Sequence, residues 1–234
     1  MIKSKNKIFL ISEIHPQHSG SLDDLKTMAF QSKVAGADSV KVQLYSSLDL
    51  HGNDKKAYLE ITFEELKNIK AYCEKIEIDL FASVFDIERF DWCEELNFKY
   101  YKVASRVSDS SLIEKMVETN KLCFISNGFD SSNFSLAKYD NVKYFYCVPE
   151  YPTFLEKIKL PTFGDKDRFQ GFSDHTFGTT ACFCAMSKGA TYIEKHFTLS
   201  KGMQNNLEKA HLGSMTFSEL QKLKQFSLDV KHFI

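Results

Sequence analysis

The stretch GFSDHTFG, residues 171–178, starts apolar and ends polar, with Ser173, Asp174, His175 and Thr176 set between Phe172 and Phe177. The pattern returns in YIEKHFT, residues 192–198, where Glu194 and His196 close another apolar run. Both read as short buried strands, and the stretch between them, 178–189, has the spacing of an amphipathic helix. Strand, helix and strand in so few residues form a parallel βαβ unit. Working outward, the same alternation fills the chain. Strands are expected at 8–15, 39–45, 78–85, 100–105, 122–128, 142–148, 169–176 and 192–198. Helices are expected at 22–36, 62–76, 86–97, 110–120, 178–189 and 216–233. Eight such strands predict an α/β protein, a (β/α)8 TIM barrel. A doubly wound open sheet is the alternative, because periodicity alone does not prove closure. Two crossovers are expected to be shortened: 129–140 is turn-rich, and 149–168 is broken by Pro152 and Pro161. With no repeat, low-complexity tract or linker, residues 1–234 read as a single domain.

A chain of 234 residues, 43% hydrophobic and 26% charged, has enough apolar material for a sizeable core. Thirty basic and 31 acidic residues leave a net charge of −1. No global field therefore favours nucleic acid or a membrane surface, and an anionic ligand must be held by local charge. The N-terminal apolar run, residues 8–12, meets Glu13 too soon for a secretion signal, and no window has the ~20 apolar residues of a membrane span. The six cysteines form no CxxC pair, which argues against a zinc knuckle or a thioredoxin-like site. They read as reduced packing residues, Cys182 and Cys184 included, in a cytoplasmic protein. Twenty-one phenylalanines suggest a dense core or an apolar face that makes an oligomer, for which a homodimer is expected.

The strand ends carry the chemistry. Residues two apart on a strand share a face. On that rule Glu13 pairs with His15, Lys41 with Gln43, Ser173 with His175 and Glu194 with His196, while Lys102 stands two before Ala104. Their neighbours Val40, Val42, Ile193 and Phe197 are apolar, so the polar set is expected to face the barrel axis at the C-terminal rim, where barrel active sites lie. An unpaired buried polar group costs about 1–3 kcal/mol, and a charge more. A structural ion pair would explain one such residue but not the set. His175 and His196, on adjacent strands, are candidate ligands of one divalent ion. Lys41 and Lys102 would face an anion, with hydrogen bonds from Ser83, Ser105, Ser126 and Ser173, which suits a phosphate or carboxylate substrate. His18 and His211 are placed to reach the site from loops, whereas His51 and His232 are expected in solvent.

At this point the motifs are recognisable. ISEIHPQHSGSLDDLKTMAFQSKVAGADSVKVQ resembles the opening of sialic acid synthases. FDIERFDWCEELNFKYYKVAS, YPTF, GFSDHTFG, GATYIEKHFTL and KAHL continue the likeness in order over nearly the whole chain. The resemblance implies a metal-dependent condensation of phosphoenolpyruvate with an aldehyde sugar, giving a 3-deoxy-2-keto acid and phosphate. It implies Mn2+ or Mg2+ on His175 and His196, and a phosphoenolpyruvate cradle of Lys41, Ser83, Lys102, Ser105, Ser126 and Ser173. Glu13, Gln43 and Tyr151 would lie on the metal and sugar side, with catalysis falling to Glu13, Lys41, Lys102 and His196. Arg106 and Val107 stand where the family has glycine and an acidic residue. Pro149 and Glu150 precede Tyr151, and Leu207 and Glu208 depart from the family near its expected aspartate. The family's antifreeze-like C-terminal domain has no counterpart in the sequence. The resemblance therefore implies a rebuilt sugar side and an acceptor other than plain N-acetylmannosamine. Two readings compete: a non-catalytic or regulatory barrel that keeps anion and metal binding, and a Schiff-base aldolase using Lys102 or Lys41, which would leave both histidines idle.

Overall fold

The computed structural model describes residues 7–128 and 134–233. Eight parallel strands close into a barrel in sequence order: β1 (Phe9–Glu13), β2 (Ser39–Leu44), β3 (Asp79–Val84), β4 (Tyr100–Val103), β5 (Leu122–Asn127), β6 (Val142–Cys147), β7 (Gly171–Asp174) and β8 (Tyr192–His196). β8 pairs with β1 in the register Glu13 to His196, which excludes the open sheet. Every expected strand and helix is present. The helices are α1 (Leu22–Ala35), α2 (Ser47–His51), α3 (Phe63–Lys75), α4 (Ile87–Glu95), α5 (Ser110–Glu118), α6 (Thr180–Ser187) and α7 (Phe217–Asp229). Of these, α2 was not foreseen.

Local signals start and stop these elements. Ser21 caps α1 by accepting the Asp24 N–H, and Gly36 ends it at φ 101°, where a Cβ would meet Lys224. Thr62 and Glu65 form a reciprocal capping box on α3, while Asp86 and Asp109 cap α4 and α5. Both weak crossovers lack a full helix. Between β6 and β7 there is one 3-10 turn, Leu155–Lys157. Between β5 and β6 the described residues make only turns, and Phe129–Asn133 lie outside the described residues.

The barrel interior is divided. Alternation places Phe9, Phe81, Tyr100, Phe124, Phe145 and Tyr192 inside, with neighbouring ring centroids 5.1–6.2 Å apart. This aromatic plug fills the N-terminal half, and Gly171 makes room for it, since a Cβ there would stand 2.6 Å from the Phe145 ring. Above the plug, the same parity places Glu13, Lys41, Ser83, Lys102, Ser126, Ser173, Glu194 and His196, so the site's charged and polar groups gather at the C-terminal end. Among the described residues no helix is long and apolar enough to cross a membrane.

Candidate active site

The polar end opens into a cavity of about 480 Å³, within the usual range for small-molecule sites. Glu13, Lys41, Gln43, Ser83, Lys102, Ser105, Ser126, Tyr151, Ser173, His175 and His196 all line it. Each site residue expected from the sequence is therefore at one place.

The floor is a charge network. Lys41 pairs with Glu13, reaches Glu194 at 3.6 Å and donates to Ser83 Oγ at 2.7 Å. Lys102 lies over the Phe145 ring at 4.1 Å and donates to Ser173 Oγ at 3.1 Å and Glu194 Oε1 at 3.3 Å. Ser173 donates to Glu194 Oε1 at 2.7 Å and lies 3.3 Å from Ser126 Oγ. Two buried ammonium groups thus face two buried carboxylates. Burial alone would raise Glu194, but Lys102, Lys41 and the Ser173 hydroxyl outweigh it and hold it at about 2. Glu13 is different: burial raises it to about 7, only partly opposed by Lys41. Burial lowers Lys102, and Lys41 adds to that, against the pull of Glu194. Lys41 itself is raised, because Glu13 and Glu194 together overcome its burial.

The histidines occupy the other side. His175 Nδ1 donates to the Val148 carbonyl at 2.8 Å, which leaves its Nε2 with a lone pair. His196 Nδ1 bonds Gln17 Oε1 at 3.0 Å in the same manner. The ring centroids are 5.8 Å apart, and Tyr151 stacks on His175 at 4.0 Å. Burial lowers His175 to about 4 and His196 well below the ordinary value, so both are neutral near pH 7. Neutral imidazoles whose far nitrogens are held by carbonyl oxygens are the usual form of histidine metal ligands. The pair fits a divalent metal, with the remaining coordination positions left to water or substrate oxygen. Among the described residues no group of three or more His, Cys, Asp or Glu side chains forms a complete metal cage.

Other groups were not foreseen. Gln17, which orients His196, is fully buried, and its Nε2 has no partner. His18 and His211, expected to reach the site from loops, are buried but do not line the cavity; His18 Nδ1 accepts the Gly20 N–H, so its Nε2 donates to His15 Nδ1 at 3.1 Å. His15 in turn meets Tyr45 at 3.3 Å. His51, expected in solvent, instead lines the cavity, because α2 folds it inward against Tyr45. His232 is exposed as expected. Cys184, expected to pack, is exposed on the outer side of α6, whereas Cys182 is buried. Strand parity also hides an ion pair. Asp174 and Lys195 point away from the cavity, are fully buried, and meet at 2.8 Å behind the two histidine-bearing strand ends.

A closed parallel barrel whose cavity lies at the C-terminal strand ends, built from paired lysines, serines and two neutral histidines, belongs among the enzyme-type (β/α)8 barrels. Residues 28–233 match the NeuB family, and the chain belongs to it. A crystal structure of N-acetylneuraminic acid synthetase from Leptospira borgpetersenii superposes with a TM-score of 0.87 at 25% identity, covering 98% of this chain and 86% of that one. An uncharacterized protein of Methanocaldococcus jannaschii is 31% identical over 84% of this chain and 64% of its own length. N,N'-diacetyllegionaminic acid synthase of Campylobacter jejuni is 28% identical over 96% of this chain and 76% of its own. The chain thus spans about two thirds to three quarters of the length of these two relatives.

Proposed function

We propose that this single barrel domain condenses phosphoenolpyruvate with an aldose, releasing phosphate and forming a 3-deoxy-2-keto acid of the nonulosonate type. The observation that carries the reading is the meeting of Lys41, Lys102 and the rim serines with two neutral histidines in one cavity. In this reading Lys41, Lys102, Ser83, Ser105, Ser126 and Ser173 hold the phosphate and carboxylate. His175 and His196 hold a divalent metal, Mn2+ or Mg2+, which when bound polarises the aldehyde oxygen. The enol carbon of phosphoenolpyruvate bonds to the aldehyde carbon. Water then adds to the resulting oxocarbenium carbon, and the C–O bond to phosphate breaks. Fixing both substrates supplies much of the rate. Glu13, with a carboxyl near 7, is suited to take up or give a proton at neutral pH, beside Gln43 at 3.4 Å. Tyr151, stacked on His175, borders the acceptor.

The test is phosphate release from phosphoenolpyruvate with Mn2+ across a panel of aldoses, against a blank without aldose. Aldose-dependent release, lost on chelation, is the expected result. No release with any aldose, while phosphoenolpyruvate still binds, would replace the reading with a non-catalytic barrel. The lowered Lys102 gives the Schiff-base reading its one support. Borohydride with the keto substrate separates the two, and it should leave turnover unchanged.

A further inference from the structure

The mouth of the cavity differs from its floor. Glu208, buried in the connection from β8 to α7, accepts hydrogen bonds from Ser19 Oγ and Tyr58 OH, each at 2.6 Å, and lies 3.2 Å from His211 Nε2. This clasp fastens three connections together at the top of the barrel. It also places Lys209, next to Glu208, and Lys56, two residues before Tyr58, on the lining of one cavity. Arg106 joins them from the connection after β4.

These three cations are unlike the two below. Lys41 and Lys102 each face a carboxylate, but among the described residues none of Lys56, Arg106 and Lys209 forms an ion pair. Glu208 is the acidic group acting on Lys56, yet both of its oxygens are occupied by the clasp. Burial lowers the Lys56 ammonium, and Arg106 and Lys209 lower it further. His51 is lowered by burial and then by Lys56 and Arg106. The mouth therefore carries mutual repulsion that an anion lying among the three would relieve.

This step rests on the condensing reading, and it concerns the acceptor. We propose that Lys56, Arg106 and Lys209 bind a second anionic group, a phosphate ester or a carboxylate, at the end of the aldose remote from its aldehyde. Phosphoenolpyruvate already has its anionic groups at the floor, and a three-carbon ester fills only part of a cavity of about 480 Å³. The aldehyde must lie by the histidines, so what reaches the mouth is the acceptor's far end. Guanidinium and ammonium donors around one oxyanion form charge-assisted hydrogen bonds, stronger than those a neutral hydroxyl accepts.

The experiment compares kcat/KM for N-acetylmannosamine, its 6-phosphate and the corresponding 6-carboxylate, with phosphoenolpyruvate and Mn2+, by keto-acid formation. The expected result is a preference of about tenfold or more for a charged acceptor, and the better of the two identifies the anion. In Arg106→Gly, and in Lys56→Ala combined with Lys209→Ala, the charged-to-neutral ratio should fall toward parity. A neutral acceptor used as well as the charged ones, or a ratio unchanged in both variants, overturns the anion site and leaves condensation standing. No keto acid from any acceptor, with phosphoenolpyruvate still bound, removes the condensing reading and this site with it.

Discussion

Lys195→Met tests the ion pair behind the histidines. Lys195 Nζ lies 2.8 Å from Asp174 Oδ2 and donates to the Thr176 carbonyl at 2.8 Å, with both side chains at 0% exposure. Asp174 otherwise accepts only the Thr176 N–H at 2.9 Å and the Cys182 thiol at 3.1 Å. Methionine keeps most of the stem volume and removes the charge, leaving Asp174 as a buried carboxylate without a cation. Breaking one side of a buried pair costs about 3–5 kcal/mol, a large share of the ~5–15 kcal/mol that holds a domain together. In a chain of this size that is a fall in Tm of about 6–20 °C. Urea unfolding of wild type, Lys195→Met, Asp174→Asn and the double variant closes a cycle. The double variant should recover about 2 kcal/mol or more relative to the sum of the singles. The pair also ties the residues just before His175 and His196, which face each other in the β7–β8 register. Mn2+ affinity should therefore weaken in Asp174→Asn even where that variant is folded. A Lys195→Met loss below about 1 kcal/mol, or strict additivity in the cycle, would refute the argument.

Three further outcomes are expected. His175→Ala and His196→Ala should each lower Mn2+ affinity by about a hundredfold or more in calorimetric titration, since second-shell changes alone reach 10–100-fold; unchanged binding in either variant would remove the metal site. Lys102→Ala should raise KM for phosphoenolpyruvate by about 10–100-fold and leave Glu194 short of a cation; an unaltered KM contradicts the cradle. His175 titrates near 4 rather than 6.5, because burial favours its neutral ring. Its contribution, at most about 3 kcal/mol, is present above pH 6.5 and is lost as pH falls through 4. His175→Gln, measured in chelator, should flatten the loss of stability over that window, and a profile parallel to wild type would show that another group governs it.

The fold was legible because each element carries its own signals: apolar runs for the strands, and Ser21, Thr62, Asp86 and Asp109 as helix caps. The floor was legible too, since strand parity alone aligns Lys41 with Gln43 and Glu194 with His196. What escaped depends on contacts between distant parts of the chain. Gln17 meets His196 across 179 positions, and Ser19 meets Glu208 across 189. No local pattern encodes such pairings, so the inward turn of His51 and the clasp at the mouth were out of reach, whereas α2, capped by Ser46 and ended by Gly52, had local signals that went unread. A further signal was present and unread: Asp174 and Lys195 are charged residues in the apolar phase of their strands, and such a residue needs a buried partner.

The same division separates the floor of the cavity from its mouth. At the floor, Lys41 and Lys102 are balanced by Glu13 and Glu194, so the floor, unlike the mouth, has its cations matched by carboxylates before a substrate enters. An incoming anion must compete with those carboxylates for the lysines, and Glu13 is the one able to yield. Burial has already moved it to about 7, so in the proposed reading a phosphate that draws Lys41 away would raise it further and leave it protonated. Glu194, held at about 2 by both lysines, stays ionised and keeps Lys102 in place. Two carboxylates on neighbouring strands are thereby set apart by their surroundings: Glu194 stays ionised between the lysines, while Glu13 titrates near neutrality, as the proposed proton transfer requires.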